Sequence, residues 1–176
     1  MLEYLTIEQA AREALIAVYR CGGQKYECGT ALYKLDNGNF AFLPPVTSHR
    51  PFGVEIGYLA APPPAGATLV ADAHQHICDR RNRVFAQFFS PADALVDQGF
   101  HIIGYMLDTC TGLVHRYDSS QDDADDEEVD LVSGKKFYLT IGHISDWIPP
   151  DMFVYPTPSG YWDFNDPGQE GDNEPR

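Results

Sequence analysis

The sequence predicts an α+β fold, with layers of the α/β kind, in which a mixed β-sheet is flanked by helices. Three observations carry this. An amphipathic helical segment opens the chain, two pairs of strand-like runs are closed by turn residues, and a second helix stands between those pairs behind a short apolar run.

Thr6 to about Arg20 reads as the first helix. Thr6 and Gln9 have capping-box spacing, and Ile7, Ala10, Ala11, Ala14, Leu15 and Val18 fall on one helical face. Cys21-Gly22-Gly23 stops it, because glycine suits the backbone just past a helix. Tyr26 to Leu35 and Asn39 to Leu43 read as strands around the hairpin turn Asp36-Asn37-Gly38. Residues 44–66 are rich in Pro and Gly and hold Phe52 to Ala61, expected as strand or extended loop. Pro62-Pro63-Pro64 is an extended connector. Ala67 to Ala73, ending at His74, reads as a buried strand. An irregular basic segment follows from Ile77 to Phe88. Ser90-Pro91-Ala92-Asp93 then opens a helix ending near Gly99, with serine as cap, proline at the first helical position and aspartate at the positive end of the dipole. His101 to Leu107 and Leu113 to Tyr117 form a second strand pair, turned at Asp108 to Gly112, and Phe137 to Ile141 is a last strand. Residues 1–148 are read as one domain. Residues 149–176 are a Pro-, Gly- and Asp-rich extension whose aromatics (Phe153, Tyr155, Tyr161, Trp162, Phe164) are expected to pack back on the body. Its last ten or so residues are expected to be disordered.

Of the 176 residues, 44% are hydrophobic, enough for a core. No apolar stretch reaches the ~18 residues of a membrane span. The N-terminus lacks the basic and apolar regions of a Sec signal peptide, so the expected location is the cytoplasm, or outside the cell by another export route. The net charge of −14, with Arg80, Arg81 and Arg83 as the only basic cluster, argues against nucleic acid as a partner. None of the four cysteines (Cys21, Cys28, Cys78, Cys110) forms a C-x-x-C pair, which argues against a cysteine zinc site, and they are read mostly as buried thiols. The acidic run from Asp118 to Asp130 lacks the spacing of a calcium loop and reads as solvated.

His74-Gln75-His76 is the most informative triplet. On a strand, positions i and i+2 share a face, so the two imidazoles converge, and imidazole is a preferred zinc ligand. Asp93, in the first turn of the next helix, is the candidate third ligand. That set leaves a fourth position for water, whose activation calls for a base. Glu27, at the start of the first hairpin, is the candidate base, and Ser90 the candidate donor to a developing oxyanion. Each residue also has a plain reading: Ser90 and Asp93 as a helix cap and first-turn acid, Glu27 as an exposed strand residue. His49, His101, His115 and His143 lack ligand-like partners and read as surface or satisfied core residues.

The order Glu27, His74-x-His76, Ser90-x-x-Asp93 resembles the JAMM motif of the JAB/MPN metalloproteases. The resemblance implies zinc ligation by His74, His76 and Asp93, acid–base work by Glu27, oxyanion stabilisation by Ser90, and a mixed sheet flanked by helices. It implies hydrolysis of a peptide or isopeptide bond in a peptide or protein substrate, as beside ubiquitin-like C-termini. Glu27-Cys28-Gly29, Pro44-Pro45-Val46-Thr47, the Phe-Ser-Pro-x-Asp stretch and the strand pair of residues 101–117 are similar to a JAB-like domain at the C-termini of bacterial Rhs and other polymorphic toxins. That likeness, over about residues 5–118, implies a secreted effector with a cognate immunity protein. Ile77 stands where the family has proline, Gln75 where Ser or Thr is commoner, and thirteen residues separate His76 from Ser90. The segment Ile77 to Phe89, with its three arginines, is expected to loop beside the site. The rival expectation is a JAB-like binding module without turnover.

Overall fold

The computed structural model describes residues 2–49, 53–78, 89–118, 120, 138–149 and 152–153. Helix α1 spans Ile7–Gly22. Thr6 caps it by accepting the Gln9 N–H at 3.2 Å, and Gly23, at φ 56°, ends it. The Gln9 side chain accepts from Leu5 N, one residue upstream of the expected capping-box partner. Strands β1 (Cys28–Leu35) and β2 (Phe40–Phe42) form the first hairpin, with Gly38 at φ 86° in its turn. The two-residue strand β3 (Val46–Thr47) returns to pair with the start of β1.

Of the two expectations for Phe52 to Ala61, strand or extended loop, the loop holds where the segment is described. Its described part, from Gly53 on, is irregular apart from α2, the single turn Gly57–Ala60. The reason is local: Gly53 is at φ 85°, and the segment lies across β1 instead of joining the sheet. A Cβ on Gly29 would meet Ile56 Cδ1 at 2.5 Å, so only glycine lets β1 accept this close approach.

Strand β4 (Ala67–His76) extends through both histidines. Helix α3 (Pro91–Phe100), strands β5 (Ile103–Asp108), β6 (Leu113–Asp118) and β7 (Tyr138–His143), and a 3-10 turn at Ile144–Asp146 complete the described elements. The described strands form one seven-stranded mixed sheet in the order β2-β1-β4-β5-β6-β7, with β3 also on β1. Every pairing is antiparallel except β4 with β5, the pair joined through α3, as a parallel connection requires. The chain is thus mixed α+β, as its sequence predicts.

β4 is buried from Ala71 onward, and alternation divides its residues between two environments. Ala71 and Ala73 join Ala10, Ala14 and Leu15 of α1, with Leu32, Leu107 and Val114, in the main core. Asp72, His74 and His76 take the opposite face. Three alanines on α1 let it sit close to the sheet, while Leu15, wholly buried, contributes about 1.5–3 kcal/mol. Phe153 does pack back, 5.3 Å from the Tyr19 ring. Tyr155, Tyr161, Trp162, Phe164, the acidic run beyond Ser120 and Arg80, Arg81 and Arg83 lie outside the described residues. Among the described residues, no helix is long and apolar enough to cross a membrane.

The cysteines are not thiols. Cys21 pairs with Cys28 and Cys78 with Cys110, at Cα separations of 6.2 and 4.7 Å. The reason is tertiary. The turn after α1 folds Cys28 back against the last helical turn. Cys78 and Cys110 stand just past the ends of the neighbouring strands β4 and β5. The second bond closes a 32-residue separation, for which the chain-entropy model gives about 3–4 kcal/mol. The double variant Cys78→Ser/Cys110→Ser should therefore unfold in urea with a free energy lower by about 3 kcal/mol, and an unchanged midpoint would show that this link contributes nothing.

Candidate metal centre

His74 and His76 leave β4 on one face because they are two residues apart. The chain then returns to the same strand end as the N-terminus of α3. There Ser90 and Asp93 form a reciprocal capping box: Ser90 Oγ accepts the Asp93 N–H at 3.2 Å, and Asp93 Oδ2 accepts the Ser90 N–H at 2.7 Å. The cap also serves the site, because Asp93 Oδ2 lies 3.2 Å from His76 Nε2 and 3.7 Å from His74 Nε2.

His74, His76 and Asp93 could hold a metal ion. Each offers one ligand atom, and all of these lie within 4.8 Å of one another, the one such group among the described residues. A tetrahedral ion with bonds of about 2.0–2.1 Å would set its ligands about 3.3–3.4 Å apart. The two measured distances fall on either side of that value. His74 Nε2 is buried without a hydrogen-bond partner, which is costly unless a proton or a cation sits there. Burial opposes charge on His74, but Asp93 and then Asp72 outweigh it and raise its pKa well above the ordinary value. Burial likewise opposes charge on Asp93, yet His74 and His76 hold its pKa far below the usual carboxylate range. In the absence of a cation, a proton on His74 balances Asp93.

Glu27 immediately precedes β1 and is buried, contrary to its plain reading as an exposed residue. Gly29 pairs with His74, and continuing that antiparallel register two residues sets Glu27 opposite His76. The Gly53 N–H donates to Glu27 Oε2, and Thr47 Oγ1 donates to its carbonyl at 2.9 Å, so the segment across β1 fixes it. Burial pushes its pKa up, against the pull of His76 and His74. Glu27, His74, His76, Ser90 and Asp93 all line one open cavity of about 680 Å³. The five residues singled out in the sequence are thus brought together.

Gln75 points the other way. Its Nε2 donates to the carbonyls of Tyr26, at 2.7 Å, and Gly23, at 3.2 Å, tying β4 to the turn that delivers Glu27. A Cβ on Gly22 would meet that nitrogen at 2.5 Å. A smaller Ser or Thr could not span this gap, which accounts for glutamine there. The far end of β4 is held by Thr109, whose N–H and hydroxyl both donate to the His76 carbonyl, at 3.2 and 2.8 Å. The remaining histidines keep their plain reading: His49 and His101 are exposed, His115 Nδ1 meets Thr140 Oγ1, and His143 Nε2 meets the Thr111 carbonyl.

Two residues of the site escape the motif. Asp72 Oδ2 lies 3.6 Å from His74 Nδ1, an ion-pair contact behind the ligand that directs Nε2 toward Asp93. Asp97 is buried against Gly104, where any Cβ would strike its Oδ2, and neither of its oxygens has a partner. Burial and then Asp72 push its pKa up to about 9, so it is neutral at ordinary pH. Both were legible: Asp72 is two residues before His74 on a strand, and Asp97 is four after Asp93 on a helix.

Replacing Asp72 with Asn should weaken metal binding about tenfold, as measured by competition with a chromogenic chelator, while the fold survives. An unaltered affinity would remove Asp72 from the site. Because the raised pKa keeps a proton on His74, metal binding must expel it. Affinity should fall as pH drops, and calorimetry in buffers of different ionisation enthalpy near neutral pH should register proton release. No family model matches this chain, and no curated protein or solved structure matches it.

Proposed function

We propose that the chain is a zinc-dependent hydrolase of peptide or isopeptide bonds, with the JAB/MPN type of fold and site. One observation carries the reading: a buried carboxylate, Glu27, shares an open cavity with the His74, His76 and Asp93 ligand set and with the Ser90 hydroxyl. The ordered motif Glu27, His74-x-His76, Ser90-x-x-Asp93, which resembles JAMM, supports the same conclusion.

A zinc ion held by His74, His76 and Asp93 would supply a Lewis acid and bring the pKa of a water near neutrality. Glu27 is the carboxylate that would take a proton from the attacking water as that water's oxygen bonds to the carbonyl carbon of the amide. Ser90 keeps its own O–H to donate to the carbonyl oxygen as negative charge grows there, while its lone pair holds the Asp93 N–H. Glu27 then would pass its proton to the amide nitrogen, the C–N bond breaks, and the second proton of the water moves to the freed amine, so that an ammonium and a carboxylate leave. Burial and the bond from Gly53 fix Glu27 for both transfers.

A secreted effector role, with an immunity protein as partner, belongs to this proposal through the toxin-domain likeness alone. The rival binding module calls for a blocked site. A cavity of about 680 Å³ reaching the ligand set favours turnover. Two measurements test the reading. Metal analysis should find about one zinc per chain, lost in His74→Ala/His76→Ala. With zinc retained, Glu27→Gln should lower hydrolysis of a peptide substrate by about 10²–10⁴-fold. Wild-type rates in the Gln variant would sink the assignment of Glu27.

A further inference from the structure

We infer, resting on that reading, that the cavity selects a substrate with a bulky apolar side chain next to the scissile bond, not a glycine-terminated tail. α3 carries two neighbouring stripes. Asp93 and Asp97 turn toward the site and β5, whereas Ala92, Val96 and Phe100, each four residues apart, line the cavity. A helical apolar stripe is normally spent on the core. Here Val96 is 37% exposed and Phe100 44%, so the stripe faces an opening that nothing in the chain's described core fills.

The segment across β1 supplies a second apolar surface, Val54, Ile56 and Leu59, to the same cavity. Gly29 lets that segment lie close, and its Gly53 N–H reaches the candidate base. The apolar surfaces are therefore built from the same two elements that deliver Asp93 and fix Glu27. Their occupant is whatever presents its carbonyl to those residues. A glycine chain would leave both surfaces wet, while a Leu, Met or Phe side chain would cover them. The described lining residues include four acids (Glu27, Glu55, Asp72, Asp93) and no Lys or Arg, so no lysine or arginine there would pair with an acidic side chain, which is disfavoured.

The test uses zinc-loaded wild-type protein and two series of short hydroxamate peptides, one with the varied side chain before the hydroxamate and one with it after. In one series the Leu and Phe compounds should bind about tenfold or more tighter than the Gly and Glu compounds, by calorimetry or competition. Val96→Ser and Phe100→Ser, on an exposed helix face, should shrink that ratio toward one. Equal binding across Gly, Leu, Phe and Glu in both series overturns the inference, as does a ratio untouched by either variant or an absence of binding. Apolar selectivity without hydrolysis of any matching peptide sinks the hydrolase reading alone. Hydrolysis without apolar selectivity sinks only this inference.

Discussion

The two-residue alternation of β4 is the constraint on which the site depends. It sends Ala71, Ala73 and Gln75 toward α1 and sends Asp72, His74 and His76 toward α3. A one-residue slip against β1 would bury two imidazoles and a carboxylate in the main core and face alanines to the cavity. Several contacts pin the register. Gln75 bonds the turn before β1, Thr109 holds the His76 carbonyl, and the Cys78–Cys110 bond ties β4 to β5 just beyond. The residues between the ligands are therefore as specific to the site as the ligands.

Much of the fold was legible because its elements are punctuated by residues with defined backbone chemistry. Thr6, Gly23, Gly38, Ser90 and Pro91 mark ends that the structure keeps. The segment after the first hairpin was legible only as strand or extended loop, with no choice between them. Its apolar residues have strand-like composition, and only contact with Gly29 shows that they cover β1. The disulfides were hidden for a related reason. Separations of 7 and 32 residues have no pattern until the sheet makes the ends of β4 and β5 neighbours. The five motif residues were legible because ligand chemistry restricts residue type and spacing together. Asp72 and Asp97 were legible only through the strand face of His74 and the helix face of Asp93, because no motif includes them.

Ser90 and Asp93 show why structural and functional readings need not compete. One atom, Asp93 Oδ2, takes the Ser90 N–H in the cap of α3 and also faces both histidines, with which it could hold a metal ion. A helix cap is stiff, so a ligand borrowed from it arrives with little side-chain entropy left to lose. Glu27 follows the same economy: the segment that fixes its carboxylate also lines the cavity beside it.

Charge supplies the last step. Glu27, Asp72, Asp93 and Asp97 crowd around two imidazoles in largely buried surroundings, where unpaired charge is expensive. The protein relieves this in three ways. Asp97 stays neutral, a proton on His74 offsets Asp93, and Glu27 accepts a backbone N–H. A divalent cation at the ligand set would supply positive charge where Asp93 and Glu27 are concentrated, and would do so without the proton that His74 otherwise has to hold. The arrangement is therefore a poor choice for a purely structural core and a consistent one for a group that could hold a cation.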